Sequence, residues 1–210
     1  MSTARDALRP VLEAARTAGF LGPGPIEAHL DHALGFAAAA ESSLGRQPAS
    51  FIDLGTGGGV PGLALAFHWS SARGVFVDSG HRRSAFLREA IERIGVGDRI
   101  DVVEGRAEAL GRDTTYREAF EVATARSFAG PAVTAEIAAG LVAVGGVLVV
   151  SEPPEPDPQR WPPPALLEIG FGPPQAVVQG GAHYAVLTKL APAAERFPRS
   201  VGRPGKRPLW

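Results

Sequence analysis

The stretch from Phe51 to Gly62, Phe-Ile-Asp-Leu-Gly-Thr-Gly-Gly-Gly-Val-Pro-Gly, constrains this chain more than any other. A short run of strand character leads into five glycines among the eight residues from Gly55 to Gly62. So many glycines cost backbone entropy that an ordinary tight turn does not require. They permit a sharp turn in which a ligand lies against bare peptide at the unpaired N–H groups of a helix N-terminus. A strand before and a helix after make this the opening of a βαβ unit.

The alternation continues along the chain. Further short β-rich runs lie at Gly74 to Asp78, Ile100 to Glu104, Glu121 to Ala125 and Val147 to Val150. Between them, Ser79 to Ile94 reads as a helix with Leu87, Ile91 and Ile94 on one face and Gly95 as its stop. Ala132 to Val144 reads as another, with Pro131 in its first turn. Strands alternating with helices imply right-handed crossovers and a parallel sheet. Ala176 to Val178 and Tyr184 to Leu190 then read as two closing strands around Gly180-Gly181. An α/β fold with a mostly parallel, seven-stranded sheet and an antiparallel C-terminal hairpin is the Rossmann-like plan of class I methyltransferases.

Three regions follow. Residues 1–48 read as a helical cap: an apolar face through Leu8, Val11, Leu12 and Ala15, a break at Gly22 to Pro25, and a second helix from Ile26 to Leu44. Residues 49–194 form the main domain. Within it, residues 153–174 hold nine of the 19 prolines and read as a loop excursion that neither a helix nor a central strand can cross. Residues 195–210 form a tail of net charge +4 on a body of −5, although the whole chain carries only −1. Such a tail is either solvated and mobile or a contact for a polyanion.

Composition removes several function classes. With no cysteine, thiolate metal sites, redox pairs and thiol nucleophiles are excluded. The longest apolar stretch, Ala138 to Val150, is too short and too rich in glycine to span a bilayer. The N-terminus lacks the pattern of a secretory signal, so a cytoplasmic protein is expected. The five histidines show no metal-ligand spacing. His29 and His32 share a helical face, which is more often packing than a ligand pair.

The glycine loop can serve a dinucleotide or S-adenosylmethionine (SAM). Reading from the strand end, the dinucleotide fingerprint needs glycine where Val60 stands. Asp53 argues the same way: a carboxylate at the strand end would repel a pyrophosphate but suits the cationic methionyl amine of SAM. Asp78, ending the second strand, is placed to accept both ribose hydroxyls, which marks a nucleoside without selecting which. Its alternative is a helix N-cap. Gly55, Gly57, Gly59 and Val60 of the loop complete the expected cofactor contacts.

The loop, together with VDSGHRRSAFLREAIERIG, GRAEAL, ATARSF and the terminal GRPGKRPL, resembles the GidB/RsmG family from about His29 to Val150 and again from Phe197 to Leu209. The resemblance implies a SAM-dependent methyltransferase acting on N7 of a guanine in 16S ribosomal RNA or the small ribosomal subunit. It implies that Gly55 and Val60 contact the cofactor, that Ala107 and Glu108 border the adenine, and that Arg126 is the binding-site arginine. Arg126 is also expected to act in catalysis by orienting cofactor or guanine; its alternative is a structural ion pair. The tail becomes a candidate RNA contact through Arg199, Arg203, Lys206 and Arg207. Guanine N7 has a lone pair and no proton, so its attack needs neither a general base nor a metal. A monomer is expected.

The chain also departs from the family. Val150-Ser151-Glu152-Pro153-Pro154 replaces the usual Leu-Lys-Gly, which would set a negative charge beside the substrate pocket. His29-Leu30-Asp31-His32 only approximates the family's His-x-x-Asp. These departures keep open a divergent methyltransferase for a small molecule or another RNA. A third reading is an RNA-binding module that holds the cofactor without turnover.

Overall fold

The structure, a computed structural model, describes residues 2–210. Its centre is one seven-stranded sheet: β1 (Ser50–Leu54), β2 (Arg73–Asp78), β3 (Ile100–Glu104), β4 (Phe120–Ala125), β5 (Val142–Glu152), β6 (Gln175–Gln179) and β7 (Ala182–Thr188), in the order β3-β2-β1-β4-β5-β7-β6. The first five strands pair in parallel, and β7 pairs antiparallel with both β5 and β6. Strand order reverses at β1, whose neighbours are β2 and β4. In open α/β sheets the ligand cleft lies beyond the carboxyl ends of the strands at such a reversal.

Eight α-helices accompany the strands: α1 (Ser2–Thr17), α2 (Ile26–Leu44), α3 (Gly62–His68), α4 (His81–Arg93), α5 (Ala107–Leu110), α6 (Pro131–Ala139), α7 (Pro163–Glu168) and α8 (Arg203–Lys206). Period-two alternation along the strands feeds two cores. Phe51, Phe76, Val147 and Val149 pack with Leu8, Val11, Leu12, Phe36 and Leu63, so α1, α2 and α3 share one core with the sheet. Ile52, Leu54, Val77 and Leu148 face the opposite side, against Ile137, Leu166, Phe171 and Phe197. No helix among the described residues is long and apolar enough to cross a membrane.

The structure differs from the sequence expectations in three places. The helix expected over 132–144 stops at Ala139, and Val142 already pairs with Phe120 at the start of β5. Residues 132–150 are apolar enough for either state, and the β-branched Val142 and Val144 go to the sheet.

The proline-rich segment does contain helix: a 3₁₀ turn at Pro158–Arg160 and α7. Both begin with proline in the first turn, where the missing N–H has no partner to lose. The segment is anchored by buried Trp161, Leu166 and Phe171. Glu152, expected as a reversed charge beside the substrate pocket, is instead neutralised within this anchor. Its side chain is 3% exposed, pairs with Arg160 at 2.8 Å and accepts a hydrogen bond from Trp161 Nε1 at 3.0 Å.

The tail is not a mobile appendage. Phe197 is buried, and Arg112 and Arg117 donate to the carbonyls of Pro198 and Phe197. A side chain at Gly140 or Gly111 would strike the Pro198 ring, so both glycines are needed for this approach. Arg199, expected to contact RNA, grips the fully buried Glu136 through Nε at 2.8 Å and a second nitrogen at 2.5 Å. Burying a carboxylate requires a paired cation, and Arg199 supplies it. Only Arg203, Lys206 and Arg207 of the expected RNA contacts stay exposed.

Candidate functional site

Two adjoining cavities open at the carboxyl ends of β1, β2 and β4. The first, about 320 Å³, is lined by Gly55, Gly57, Asp78, Arg83, Ala107 and Glu108 among others. The second, about 360 Å³, is lined by Phe20, Leu21, Gly55, Val60, Arg126 and Ser127 among others. The two share Gly55, Gly57 and Ser127, so they adjoin at the glycine loop.

The loop between β1 and α3 makes this possible. Gly55 and Gly57 take φ of 66° and 60°, a region that disfavours any side chain. Gly57 N–H donates to Asp78 Oδ2 at 3.0 Å, tying the loop to the end of β2. Asp78 also accepts from Gly80 N–H at 2.8 Å and from Arg83 Nε at 2.9 Å. Burial opposes its ionisation, but Arg83 and the two amides outweigh burial and hold its carboxyl below the usual range. Gly80, not Asp78, occupies the N-cap of α4. Asp78 is therefore a fixed carboxylate on the wall of the first cavity.

Two expected cofactor contacts lie elsewhere. Asp53 is fully buried and lines neither cavity. Its carboxylate accepts from Gly62 N–H at 3.1 Å and from Thr124 Oγ1 at 2.7 Å, joining the start of α3 to β4. Burial pushes its pKa up to about 6, against the opposing hydrogen bonds. Asp53 thus braces the loop instead of facing a methionyl amine, because the turn brings the N-terminus of α3 back over it. Gly59, at φ 96°, also turns away from both cavities; a side chain there would strike Leu63.

Gly58 is a functional residue that the sequence reading missed. A Cβ there would lie 2.7 Å from the carbonyl oxygen of Phe20, so its bareness lets the α1–α2 linker rest on the loop. Its place in the middle of three consecutive glycines was the only local signal.

Ala107 and Glu108 both line the first cavity. The Glu108 carboxylate is turned to its neighbours: it accepts from Arg106 at 2.8 Å and from Gly202 N–H at 3.3 Å. Burial raises its pKa, but Arg106 and the backbone donors bring it below the usual value. Through Gly202 it draws the tail over the cavity, where Gly205 joins the lining.

Arg126 follows β4, next to Ser127, whose φ of 52° is uncommon for a residue with a side chain. One guanidinium nitrogen of Arg126 meets His29 Nδ1 at 2.9 Å; the other, Nη1, is buried without a hydrogen-bond partner. Arginine only donates, so His29 Nδ1 accepts, and the proton sits on Nε2, which donates to Gly22 O at 3.2 Å. Burial and the Arg126 charge lower the His29 pKa, keeping it neutral. The same two causes, with His29 as a third, lower His32 to about 4. Arg126 is therefore held by a neutral imidazole and not by a structural carboxylate, and its free N–H points to a use at the second cavity.

The profile of the rRNA small subunit methyltransferase G family matches residues 14–152. The chain belongs to that family. It is 32% identical over 168 residues to the ribosomal RNA small subunit methyltransferase G of Moorella thermoacetica, covering 77% of this chain and 70% of that protein. It is 35% identical over 173 residues to the protein of the same name from a Roseiflexus species, covering 80% and 74%. Among solved structures, an O-methyltransferase from Bacillus cereus, in complex with SAH, shares the fold at a TM-score of 0.60 and 16% identity, covering 88% of this chain and 91% of that one.

Membership in the methyltransferase G family makes this chain a SAM-dependent methyltransferase on a class I, Rossmann-like fold. The residues present suit that donor. Asp78 offers a fixed carboxylate of the kind that binds ribose hydroxyls, and Gly55 and Gly57 leave bare peptide between the two cavities.

Proposed function

We propose that the chain methylates N7 of a guanine in the 16S ribosomal RNA of the small subunit. One observation carries the acceptor assignment. Among the residues lining the second cavity there is no carboxylate, histidine or lysine; the sole titratable group is the always-charged Arg126. An acceptor that must lose a proton during attack, such as a hydroxyl, would find no base there. Guanine N7 presents a lone pair and no proton, so it suits a cavity that only aligns and shields.

SAM would supply a sulfonium methyl: as the N7–C bond forms, the S–C bond breaks and its electron pair stays on sulfur, leaving a cationic base. In this reading, Asp78 accepts the ribose hydroxyls, Ala107 and Glu108 border the adenine, and Gly55, Gly57 and Val60 shape the passage between donor and acceptor. Arg126 Nη1 donates to guanine O6, not to N7, because a hydrogen bond would occupy the lone pair that attacks. Residues 49–194 carry donor and chemistry, residues 1–48 wall the acceptor side, and the tail 195–210 brings Arg203, Lys206 and Arg207 to the RNA backbone. The neutralised Glu152 removes the main ground for a different substrate.

The test is methyl transfer from labelled SAM to naked 16S rRNA and to 30S subunits, followed by mapping of the product. Label at one guanine N7 is expected. SAM binding without label in either RNA, or label confined to another atom, would overturn the reading.

A further inference from the structure

The α1–α2 linker carries a feature that the donor site does not use. Helix α1 closes with Gly19 in the left-handed region at φ 74°, and Phe20 N–H bonds back to Ala15 O at 2.9 Å. This closure throws Phe20 off the helix and into the lining of the second cavity. The Phe20 carbonyl rests on Gly58, which fixes its distance from the donor loop. Its ring meets Phe86 edge-on at 5.7 Å, and the Arg82 guanidinium stands 5.7 Å from its centroid.

Two exposed cations on α1 and α4, Arg16 and Arg82, stand outside the ion pairs of these helices, although Arg16 donates to the Gly24 carbonyl at 3.5 Å. Arg5 and Arg9 of α1 pair with Asp31 and Glu27, but Arg16 forms no ion pair among the described residues. Of the four arginines on α4, Arg83 and Arg88 pair with Asp78 and Glu104, while Arg82 and Arg93 form no ion pair among the described residues, and of these two Arg82 meets the Phe20 ring. Arg16 and Arg82 are both exposed. An aromatic ring beside an exposed guanidinium, on a residue that lines a cavity, is the arrangement that stacks an unpaired base and holds its phosphate.

We propose that Phe20 and Arg82 form a stacking platform for the RNA base delivered to the second cavity, with Arg16 and Arg82 holding the adjoining phosphates. The proposal rests on the RNA reading above and adds the side from which RNA enters. It makes the linker a part of substrate recognition and not only of the fold.

The experiment compares wild type with Phe20→Leu, Phe20→Trp, the double change Arg16→Gln with Arg82→Gln, and Arg88→Gln as a control. Readouts are kcat/KM for 16S rRNA, RNA affinity across a salt series, and SAM affinity by calorimetry. Phe20→Leu is expected to lower RNA affinity and kcat/KM about ten-fold, with SAM affinity within two-fold and Phe20→Trp close to wild type. The double arginine change is expected to flatten the salt dependence by about two ions, whereas Arg88→Gln leaves it unchanged. RNA parameters within two-fold of wild type in Phe20→Leu would overturn the platform, as would an equal loss of SAM affinity, which marks a purely structural ring. If wild type binds RNA but places no label at guanine N7, the function reading fails and the Phe20→Leu affinity still decides the platform. If wild type binds no RNA, both fall.

Discussion

Single residues at this site divide into those that meet ligand and those that hold the residues that do. In the proposed reading Asp78 is of the first kind, with a carboxylate organised by Gly57, Gly80 and Arg83 at the wall of the cavity. Asp78→Asn keeps the shape but loses the charge, and it is expected to weaken SAM binding about ten-fold by calorimetry, as befits hydrogen bonds to a charged group.

Asp53 is of the second kind. Its pKa rises from 3.8 to about 6 in the fold, so the folded state prefers the proton. The stability it contributes is complete below pH 4 and is lost as pH rises through about 6. The Tm of wild type minus that of Asp53→Asn is therefore expected to fall between pH 4 and pH 7. A difference flat across that range would show that Asp53 does not titrate this way. From sequence, both acids sit at strand ends facing a glycine loop; which one lines the cavity depends on where the turn carries the first residues of α3.

At the scale of elements, the glycine loop has two sides. Gly55 and Gly57 line both cavities, Gly59 faces Leu63, and Gly58 faces the linker from α1. Gly58→Ala would press a methyl group into the Phe20 carbonyl, an overpacking that costs about 1–3 kcal/mol. We expect a lower Tm and a loss of rRNA methylation that exceeds the loss of SAM binding, since the displaced part is the acceptor wall. Equal losses of both would place the linker's role in donor binding.

Elements with a clean period were legible: the strands from β1 to β4, the closing hairpin, and the helix ended by Gly95 all stand where alternation and punctuation set them. The α6–β5 boundary was not, because nearly every residue there is apolar and no period distinguishes helix from strand. The proline-rich segment misled for a different reason. Proline is costly in a helix interior, although α1 carries Pro10 there, but it is favoured in the first turn, and α7 is scarcely longer than that turn.

Across the whole molecule, the basic tail holds two kinds of cation, paired and exposed, that its charge alone does not separate. Arg199 closes a strut to buried Glu136 on α6, 63 residues away in sequence. Removing it as Arg199→Ala leaves an acid without its cation, although the backbone N–H of residue 199 still donates to it. The expected cost is about 3 kcal/mol in chemical denaturation, low in the range for a broken buried pair because Arg199 stays partly exposed. Lys206 and Arg207 lie exposed at the far end, so Lys206→Gln with Arg207→Gln is expected to leave Tm unchanged. The same double change should lower the salt slope of rRNA binding by about two. A Tm loss in the second variant, or none in the first, would reverse the assignment.

The sequence by itself determined the α/β order and the place of the glycine loop, because these depend on backbone conformation and periodicity over a few neighbouring residues. Only the tertiary structure decided which charges remain free. Glu152, Arg199 and Asp53 look like surface or ligand-facing groups in the sequence, yet folding gives each an internal partner, because an ionised group withdrawn from water must be paired or hydrogen-bonded. The same long-range packing set Phe20 on Gly58 and left Arg126 Nη1 unpaired, so the acceptor side emerges where distant segments meet.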